Sequence, residues 1–238
     1  MSYVKQNFAD GNVLTAEQLN KMDNALASKW YGKKISVLGD SILYGVGLTD
    51  RVKENITTLL ANMTGAEVTN HGISGTKVSG NDSKSFHNRF PSVSKGADLT
   101  IVFGGTNDYW HKATAIGDAS TASDPNTFYG AITKIIDYHC TNNGNAQLLM
   151  VFPFNQAYGG TSCDHDYGYG SFKKFRDCMK EICDNRGVPF LDLYSESGMD
   201  VAHNTTHKAL YTTDGVHGTA ACHKRVAERM FSKIEYGM

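Results

Sequence analysis

The chain has 238 residues, of which 40% are hydrophobic and 20% are charged, and its formal net charge at pH 7 is -1. This balance predicts a folded domain with a sizeable core and argues against a disordered chain. It provides neither the concentrated positive charge that nucleic-acid binding requires nor an apolar run long enough for a membrane span.

The first 32 residues are predicted to be a lead segment ahead of a single domain at residues 33–238. Thr15 is a candidate N-cap, and apolar residues follow it at helical spacing: Leu19, Met22, Leu26 and Trp30. This short amphipathic helix needs a surface to pack on, either the main domain or another chain, and the second case would make the protein an oligomer.

The N-terminus lacks the apolar stretch of a secretory signal peptide. We therefore expect a protein that is cytoplasmic or released without a Sec signal. Residues 8–20 resemble the short lead-in segments of phage and prophage tail proteins, which implies a phage or prophage source.

From residue 34 onward, five strand-like runs alternate with stretches of helical periodicity. The runs are Ile35–Leu38, Glu67–Thr69, Leu99–Phe103, Leu148–Phe152 and Pro189–Leu191. Strands that alternate with helices predict an α/β fold with a parallel sheet covered on both faces. In such sheets, active sites gather outside the carboxyl ends of the strands.

Short polar blocks lie after these strands and before the last helix. They are Gly39-Asp40-Ser41, Asn70-His71-Gly72-Ile73-Ser74-Gly75, Gly104-Gly105-Thr106-Asn107-Asp108 and Asp214-Gly215-Val216-His217. Each block alone is typical of an ordinary turn. Together, and in this order, they supply a hydroxyl, backbone donors, an amide and an Asp-His pair. We expect Gly39 to be needed for a sharp backbone turn.

These four blocks resemble those of the SGNH hydrolases, also called the GDSL esterases and lipases, over about residues 33–236. The resemblance implies a flavodoxin-like three-layer α/β/α sandwich with a central, mainly five-stranded parallel sheet. Two departures are Ile42, where the family's older name has leucine, and Gly218, where many members have proline.

The blocks predict a Ser-His-Asp triad made of Ser41, His217 and Asp214. A serine hydroxyl needs a nearby base, an imidazole is a fair base near pH 7, and an aspartate can fix its tautomer. The family resemblance implies that the oxyanion is bound by the backbone N–H groups of Ser41 and Gly75 and by the side chain of Asn107. This chemistry requires no metal and no cofactor.

Several neighbouring residues allow other interpretations. Asp40 and Asp108 are interpreted as acceptors that brace their loops, and Ser74 is a less favoured nucleophile because no strand directly precedes it. The segment Asp164-His165-Asp166 has metal-binding residue types but is interpreted as a solvated loop. Five cysteines, an odd number without metal-ligand spacing, indicate neither a disulfide framework nor a zinc site.

The substrate is predicted from Tyr109 and Trp110, which directly follow the Asn107 block. If they are not both structural, they form a platform for a sugar ring or the wall of a small acyl pocket. We therefore expect a serine ester hydrolase acting on short-chain acyl esters, including O-acetyl groups of carbohydrates. A non-catalytic glycan-binding or phage-structural module and a lipid or thioester acylhydrolase remain the alternatives.

Overall fold

The computed structural model describes Thr15 and residues 28–238 and contains one five-stranded parallel sheet. Its strands, in the spatial order β2-β1-β3-β4-β7, are β1 (Lys34–Gly39), β2 (Glu67–Gly72), β3 (Leu99–Phe103), β4 (Gln147–Phe152) and β7 (Phe190–Asp192). A separate antiparallel hairpin consists of β5 (Ala157–Tyr158) and β6 (Thr161–Ser162).

Helices connect the strands. In chain order they are α1 (Ser41–Tyr44), α2 (Arg51–Glu54), α3 (Ile56–Thr64), α4 (Phe86–Val93), α5 (Thr106–Trp110), a 3-10 turn (Ala119–Thr121), α6 (Phe128–Asn142), α7 (Phe172–Arg186), α8 (Leu193–Glu196), α9 (Thr205–Tyr211) and α10 (Ala220–Tyr236).

The alternation of side chains along the strands produces two apolar layers, one on each face of the sheet. In β4, Leu149 and Val151 pack in one layer with α3 and α10, whereas Leu148, Met150 and Phe152 pack in the other layer with α4, α6 and α7. Because both faces are covered, the central strand β3 is apolar at four of its five positions and buried along its whole length, and β4 is apolar after its first residue. The predicted three-layer α/β/α architecture is confirmed.

All five strands predicted for the sheet are present; β3 has the predicted ends, and at least one end of each of the other four differs. The prediction ended the second strand at Thr69, but β2 continues to Gly72 because Asn70, His71 and Gly72 pair with residues 37–39 of β1. The last strand begins and ends one residue later than predicted.

After β1, the chain forms β2 on one side of β1, and it then forms β3 on the other side of β1. Such a switch in strand order opens a crevice at the carboxyl ends of the central strands. The residues that follow β1 and β3 therefore face a common space.

The predicted N-terminal helix lies outside the described residues, apart from Thr15 and Trp30, and the boundary at residue 33 stays a prediction. Trp30 is buried, and its indole Nε1 donates to the carbonyl of Ile234, 3.0 Å away, at the end of α10. Ser28 Oγ donates to Glu235 at 2.7 Å. Within residues 28–238, no helix has the length and apolarity needed to cross a lipid bilayer.

Candidate active site

Ser41 is the first residue of α1, directly beyond the end of β1, and it is 4% exposed. The carboxylate of Asp40 accepts the backbone N–H of Ile42 at 2.9 Å and so caps this short helix. A strand-to-helix turn therefore presents the serine at the carboxyl end of β1.

The expected reason for glycine at position 39 is wrong. Its φ is not in the left-handed region, so no special turn conformation is required. A Cβ at Gly39 would instead lie 2.5 Å from the Cβ of Leu43, because α1 folds back closely over the strand end. The glycine provides space for this close approach.

The imidazole of His217 lies between Ser41 and Asp214. Its Nε2 is 3.1 Å from Ser41 Oγ, and its Nδ1 is 2.7 Å from Asp214 Oδ2. The other carboxylate oxygen of Asp214 accepts the backbone N–H groups of Val216 and His217 at 2.9 and 2.8 Å. The structure thus brings together the three residues that the sequence grouped, although 176 positions separate Ser41 from His217.

Hydrogen bonding keeps Asp214 in its charged form. Partial burial pushes the pKa of this carboxyl upward, but the hydrogen bonds from the backbone and ring of His217 and from Val216 outweigh burial and lower it. Asp214 therefore presents a negative charge to the imidazole.

Asn107 lies in α5, after the Gly104-Gly105 turn that follows β3, and it is almost completely buried. Its Nδ2 donates to the carbonyl of Thr76 at 2.9 Å and makes a longer contact of 3.4 Å with Asp40 Oδ2. The Gly75 backbone beside Thr76 is open, because a Cβ built there would meet nothing within 4 Å. These contacts link the Asn107 amide to the turn that contains Gly75 and to the turn that contains Ser41, so the three border one space.

Asp40 and Asp108 are both buried, and each holds neighbouring backbone groups. The pKa of Asp40 is raised to about 7, chiefly by burial and also by the nearby Asp108, against the opposing effects of the Ile42 N–H and of Arg89. Asp108 accepts the N–H groups of Val78 and Ser79 at 2.9 and 3.0 Å, and burial raises its pKa too. The hydrogen bonds that Asp40 and Asp108 accept agree with the interpretation of these residues as acceptors that brace their loops.

The two predicted aromatic residues have different environments. Tyr109 is 2% exposed, packs in the core and donates its hydroxyl to the His165 carbonyl at 2.8 Å. Trp110 is half-buried, and its indole donates to Gln156 Oε1 at 2.8 Å. Tyr158, in the β5–β6 hairpin, lies edge-on to Trp110 with ring centroids 5.8 Å apart and is 51% exposed. The aromatic surface at this edge therefore comes from Trp110 and Tyr158, and Tyr109 supports it from the core.

The loop that contains Asp164-His165-Asp166, which was predicted to be solvated, is held by a histidine that is distant in the sequence. His203 contacts Asp164 through Nε2 at 2.6 Å and Asp200 through Nδ1 at 2.8 Å. Asp166 accepts the backbone N–H groups of Gly168 and Gly170, both at 2.8 Å. Within residues 28–238, no cluster of three or more His, Cys, Asp or Glu side chains has an arrangement that could hold a metal ion.

Sequence reasoning missed two residues that support the site. Gln156 links Trp110 to Thr106, donating from Nε2 to Thr106 Oγ1 at 3.1 Å. Arg89 reaches from α4 to the ends of β1 and β2. Neither belongs to a motif, and both make contacts across more than 15 residues of sequence, so no local signal marks them.

The model of the GDSL-like lipase/acylhydrolase family matches residues 37–225, which is more than half of the chain. The chain belongs to this family. As a GDSL-like acylhydrolase it is a carboxylic ester hydrolase and a member of the SGNH/GDSL superfamily, as the four sequence blocks predicted.

Solved structures share the fold of this GDSL-like hydrolase. A protein from Lactobacillus plantarum is 25% identical, with a TM-score of 0.77, covering 87% of this chain and 98% of its own. A carbohydrate acetylesterase family member from Sinorhizobium meliloti is 17% identical, with a TM-score of 0.59 and coverages of 87% and 100%.

An inhibitor-bound aryl esterase from M. smegmatis is 19% identical to the GDSL-like hydrolase, with a TM-score of 0.63 and coverages of 85% and 98%. The comparison with curated proteins finds no match.

Proposed function

We propose that this protein is a serine esterase that works through a Ser41-His217-Asp214 triad and a covalent acyl-enzyme. The observation that carries the proposal is the continuous contact from Ser41 Oγ through both nitrogens of His217 to Asp214. A module that only binds glycans has no physical need for a serine, an imidazole and a carboxylate in this arrangement.

In the first half-reaction, Ser41 Oγ attacks the ester carbonyl carbon while His217 Nε2 takes the hydroxyl proton. The tetrahedral intermediate then collapses, and the C–O bond to the alcohol breaks as His217 returns the proton to the leaving oxygen. In the second half-reaction, His217 takes a proton from water as the water oxygen attacks the acyl carbon. The second tetrahedral intermediate then collapses, the bond between the acyl carbon and Ser41 Oγ breaks, and His217 returns the proton to Ser41 Oγ as the carboxylic acid leaves. Asp214 holds the imidazole and stabilises its charged form in both halves.

The oxyanion of each tetrahedral intermediate needs preorganised donors. We assign this role to the backbone N–H groups of Ser41 and Gly75 and to the side-chain amide of Asn107. Asn107 suits the role because a neutral amide donates without competing for the proton on His217. Its contact with the Thr76 carbonyl holds it beside the Gly75 turn before substrate arrives.

The substrate assigned here is a short-chain acyl ester, with O-acetylated carbohydrate as the favoured class. The support is the pair of aromatic rings at the edge of the site: Trp110 is half-buried, and Tyr158 is half-exposed. Aromatic faces bind the apolar faces of sugar rings. Ala157, next to Tyr158, donates its N–H to the Gly215 carbonyl at 3.0 Å, so this hairpin adjoins the loop that carries Asp214 and His217.

The proposal is tested by comparing wild type, Ser41→Ala and Ser74→Ala in two measurements. Covalent labelling by a fluorophosphonate reports an activated serine, and hydrolysis of p-nitrophenyl acetate, butyrate and octanoate reports turnover and chain-length preference. We expect labelling and turnover in wild type and Ser74→Ala, with loss of both in Ser41→Ala and rates that fall as the acyl chain lengthens.

Labelling retained by Ser41→Ala would refute the assignment of the nucleophile. Labelling without ester turnover would favour a binding module or an enzyme whose substrate range excludes these p-nitrophenyl esters. Faster hydrolysis of octanoate than of acetate would favour a lipid acylhydrolase. If acetate is preferred, release of acetate from acetylated xylan by wild type and by Trp110→Ala tests the carbohydrate assignment.

A further inference from the structure

Arg89 joins the elements that surround the candidate oxyanion site. It lies on α4, is half-buried, and its guanidinium carbon is 5.2 Å from the centre of the Phe86 ring. Its Nη1 donates to the His71 carbonyl at 2.7 Å, and its Nη2 donates to the Gly39 carbonyl and to Thr76 Oγ1, both at 3.1 Å. Its Nε donates to the Lys84 carbonyl at 2.8 Å.

Two acceptors of Arg89, the Gly39 carbonyl and the Thr76 hydroxyl, lie on segments that carry proposed catalytic groups. Gly39 is two residues before Ser41, and its carbonyl also accepts the N–H of Ile73 at 3.1 Å. Thr76 Oγ1 donates to the Ile73 carbonyl at 2.8 Å and thereby closes the turn that contains Gly75. The guanidinium thus connects the strand that carries the nucleophile to the turn that carries a proposed oxyanion donor.

The same chain of contacts continues to Asn107. Thr76 accepts the Arg89 hydrogen bond on its hydroxyl, and its carbonyl accepts the Asn107 amide at 2.9 Å. A displacement of Thr76 would therefore move both the Gly75 backbone and the Asn107 side chain. Since oxyanion stabilisation depends on donors that are already in place, such a displacement costs rate and not substrate affinity.

We propose that Arg89 is a positioning residue for ester hydrolysis, which holds the ends of β1 and β2 and the Gly75–Thr76 turn so that the oxyanion donors are aligned before substrate binds. This inference rests on the proposed function. Arg89 touches neither Ser41 nor His217 and acts through Gly39, His71 and Thr76.

The chemistry of arginine fits this role better than that of lysine. Four of the five N–H groups of the guanidinium are used, in a planar fork that reaches acceptors on three separate segments. A lysine ammonium keeps the charge but cannot hold these acceptors in one plane. Arg89→Lys therefore separates the geometric contribution from the charge.

The test measures kcat, KM and Tm for wild type, Arg89→Lys, Arg89→Ala and Arg176→Ala, with Ser41→Ala as the blank. Arg176 is the matched control: it is also half-buried and packed beside an aromatic ring, 5.6 Å from Tyr194, and it pairs with Asp192 at 3.2 Å. Asp192 ends β7, which is three strands away from β1 in the sheet. The Arg89→Ala variant is also assayed with millimolar guanidinium chloride, with sodium chloride for comparison.

We expect both Arg89 variants to lose kcat, by about 10²-fold for alanine, with KM nearly unchanged, because small misplacements of catalytic groups have effects of this size. Guanidinium should restore part of the lost kcat in Arg89→Ala, and sodium chloride should not. Arg176→Ala should lower Tm and keep kcat.

Wild-type kcat in both Arg89 variants would overturn the proposal and leave the triad intact. A loss of kcat that guanidinium does not restore and that Arg176→Ala shares would also overturn it, since such a loss reports damaged packing only. If wild type shows no more turnover than Ser41→Ala, the proposed function itself fails, and this inference fails with it.

Discussion

Gly215 lies directly against Ala157, and no side chain can be placed between them. The Ala157 N–H donates to the Gly215 carbonyl at 3.0 Å, and a Cβ built on Gly215 would be 1.6 Å from the Ala157 carbonyl oxygen. Gly215 has a φ of 96° and follows Asp214 directly. The β5–β6 hairpin is thus seated on the loop that holds the imidazole.

Gly215→Ala should therefore displace Asp214 and His217 and lower kcat by about 10²-fold or more, with a fall in Tm. Gly187→Ala is the control, because Gly187 also has a positive φ, 63°, but a Cβ there meets nothing within 4 Å. It should lose stability through backbone strain and keep full activity. Equal kcat values in the two variants, measured on p-nitrophenyl acetate, would contradict the importance of the hairpin contact.

Asp214→Asn should preserve the shape of the loop and reduce kcat by about 10⁴-fold. An asparagine oxygen can still accept the backbone N–H groups of Val216 and His217, but the amide no longer stabilises a charged imidazole or fixes its tautomer. The variant should keep the wild-type Tm within a few degrees. A kcat within tenfold of wild type would remove Asp214 from the proposed triad.

Asn107→Ala should lower kcat by about 10²–10³-fold, the range for loss of one side-chain oxyanion donor. Asn107→Asp is a second probe, because it retains the size of the side chain and replaces the amide donor with a carboxylate beside Asp40, whose Oδ2 is 3.4 Å from Nδ2. It should be at least as inactive. Near-normal turnover by either variant would exclude an oxyanion role for Asn107.

Asp40 should make stability fall as pH rises. Burial raises its pKa from 3.8 to about 7, so the folded protein retains a proton that the unfolded chain releases. This stabilisation is fully present below pH 3.8 and is lost as the pH passes through about 7. As the pH rises between these limits, the Tm of wild type should therefore fall relative to the Tm of Asp40→Asn.

Asp50→Asn is the control of opposite sign. The hydrogen bond from Lys53 lowers the pKa of this exposed carboxyl, so its stabilisation is present at neutral pH and is lost as the pH falls. The Tm advantage of wild type over this variant should shrink in acid. If the two variants gave the same slope against pH, the protonation of Asp40 in the folded state would be refuted.

The contact of His203 with Asp164 and Asp200 should hold the loop that contains Asp164-His165-Asp166 most firmly below neutral pH. Hydrogen bonds with the two carboxylates raise the pKa of this imidazole. Their contribution to stability is therefore fully present below the usual histidine pKa of 6.5 and is lost as the pH rises through the higher value in the folded protein.

Limited proteolysis within residues 159–170 measures this contribution locally. His203→Gln should be cut faster than wild type at about pH 6, and the two proteins should be cut at similar rates at about pH 9. His165→Gln serves as the control, because the His165 ring makes an edge-on contact with Tyr167, with ring centroids 4.5 Å apart, in place of a carboxylate contact. A difference that persists unchanged at high pH would contradict a charged His203.

Local sequence signals predicted the sheet well and predicted the site in part. The apolar strands and the polar blocks after them are visible along the chain, so the fold class and the grouping of Ser41, His217 and Asp214 followed from spacing and family resemblance. The pairing of Asn70 to Gly72 with β1 was missed because these polar residues look like a loop until the neighbouring strand is known.

The remaining features depend on contacts that spacing does not encode. Tyr109 and Trp110 are adjacent in the sequence, and only the position of α5 decides that the first faces the core and the second faces the hairpin. The burial of Asp40, the reach of Arg89 and the pairing of Asp164 with His203 likewise come from the packing of distant segments. The predicted roles of the triad residues and of the oxyanion donors stay predictions that the variants above test.

The separation of 176 positions between Ser41 and His217 also bears on the order of events in folding. The strand before Ser41 and the helix after His217 belong to opposite ends of the described chain, and closing so long a loop is entropically unfavourable until the intervening strands have paired. During refolding, helical circular dichroism should therefore recover before esterase activity does. We therefore expect activity to report a late stage of folding, because it requires contact between the end of the first strand of the sheet and the last loop of the domain.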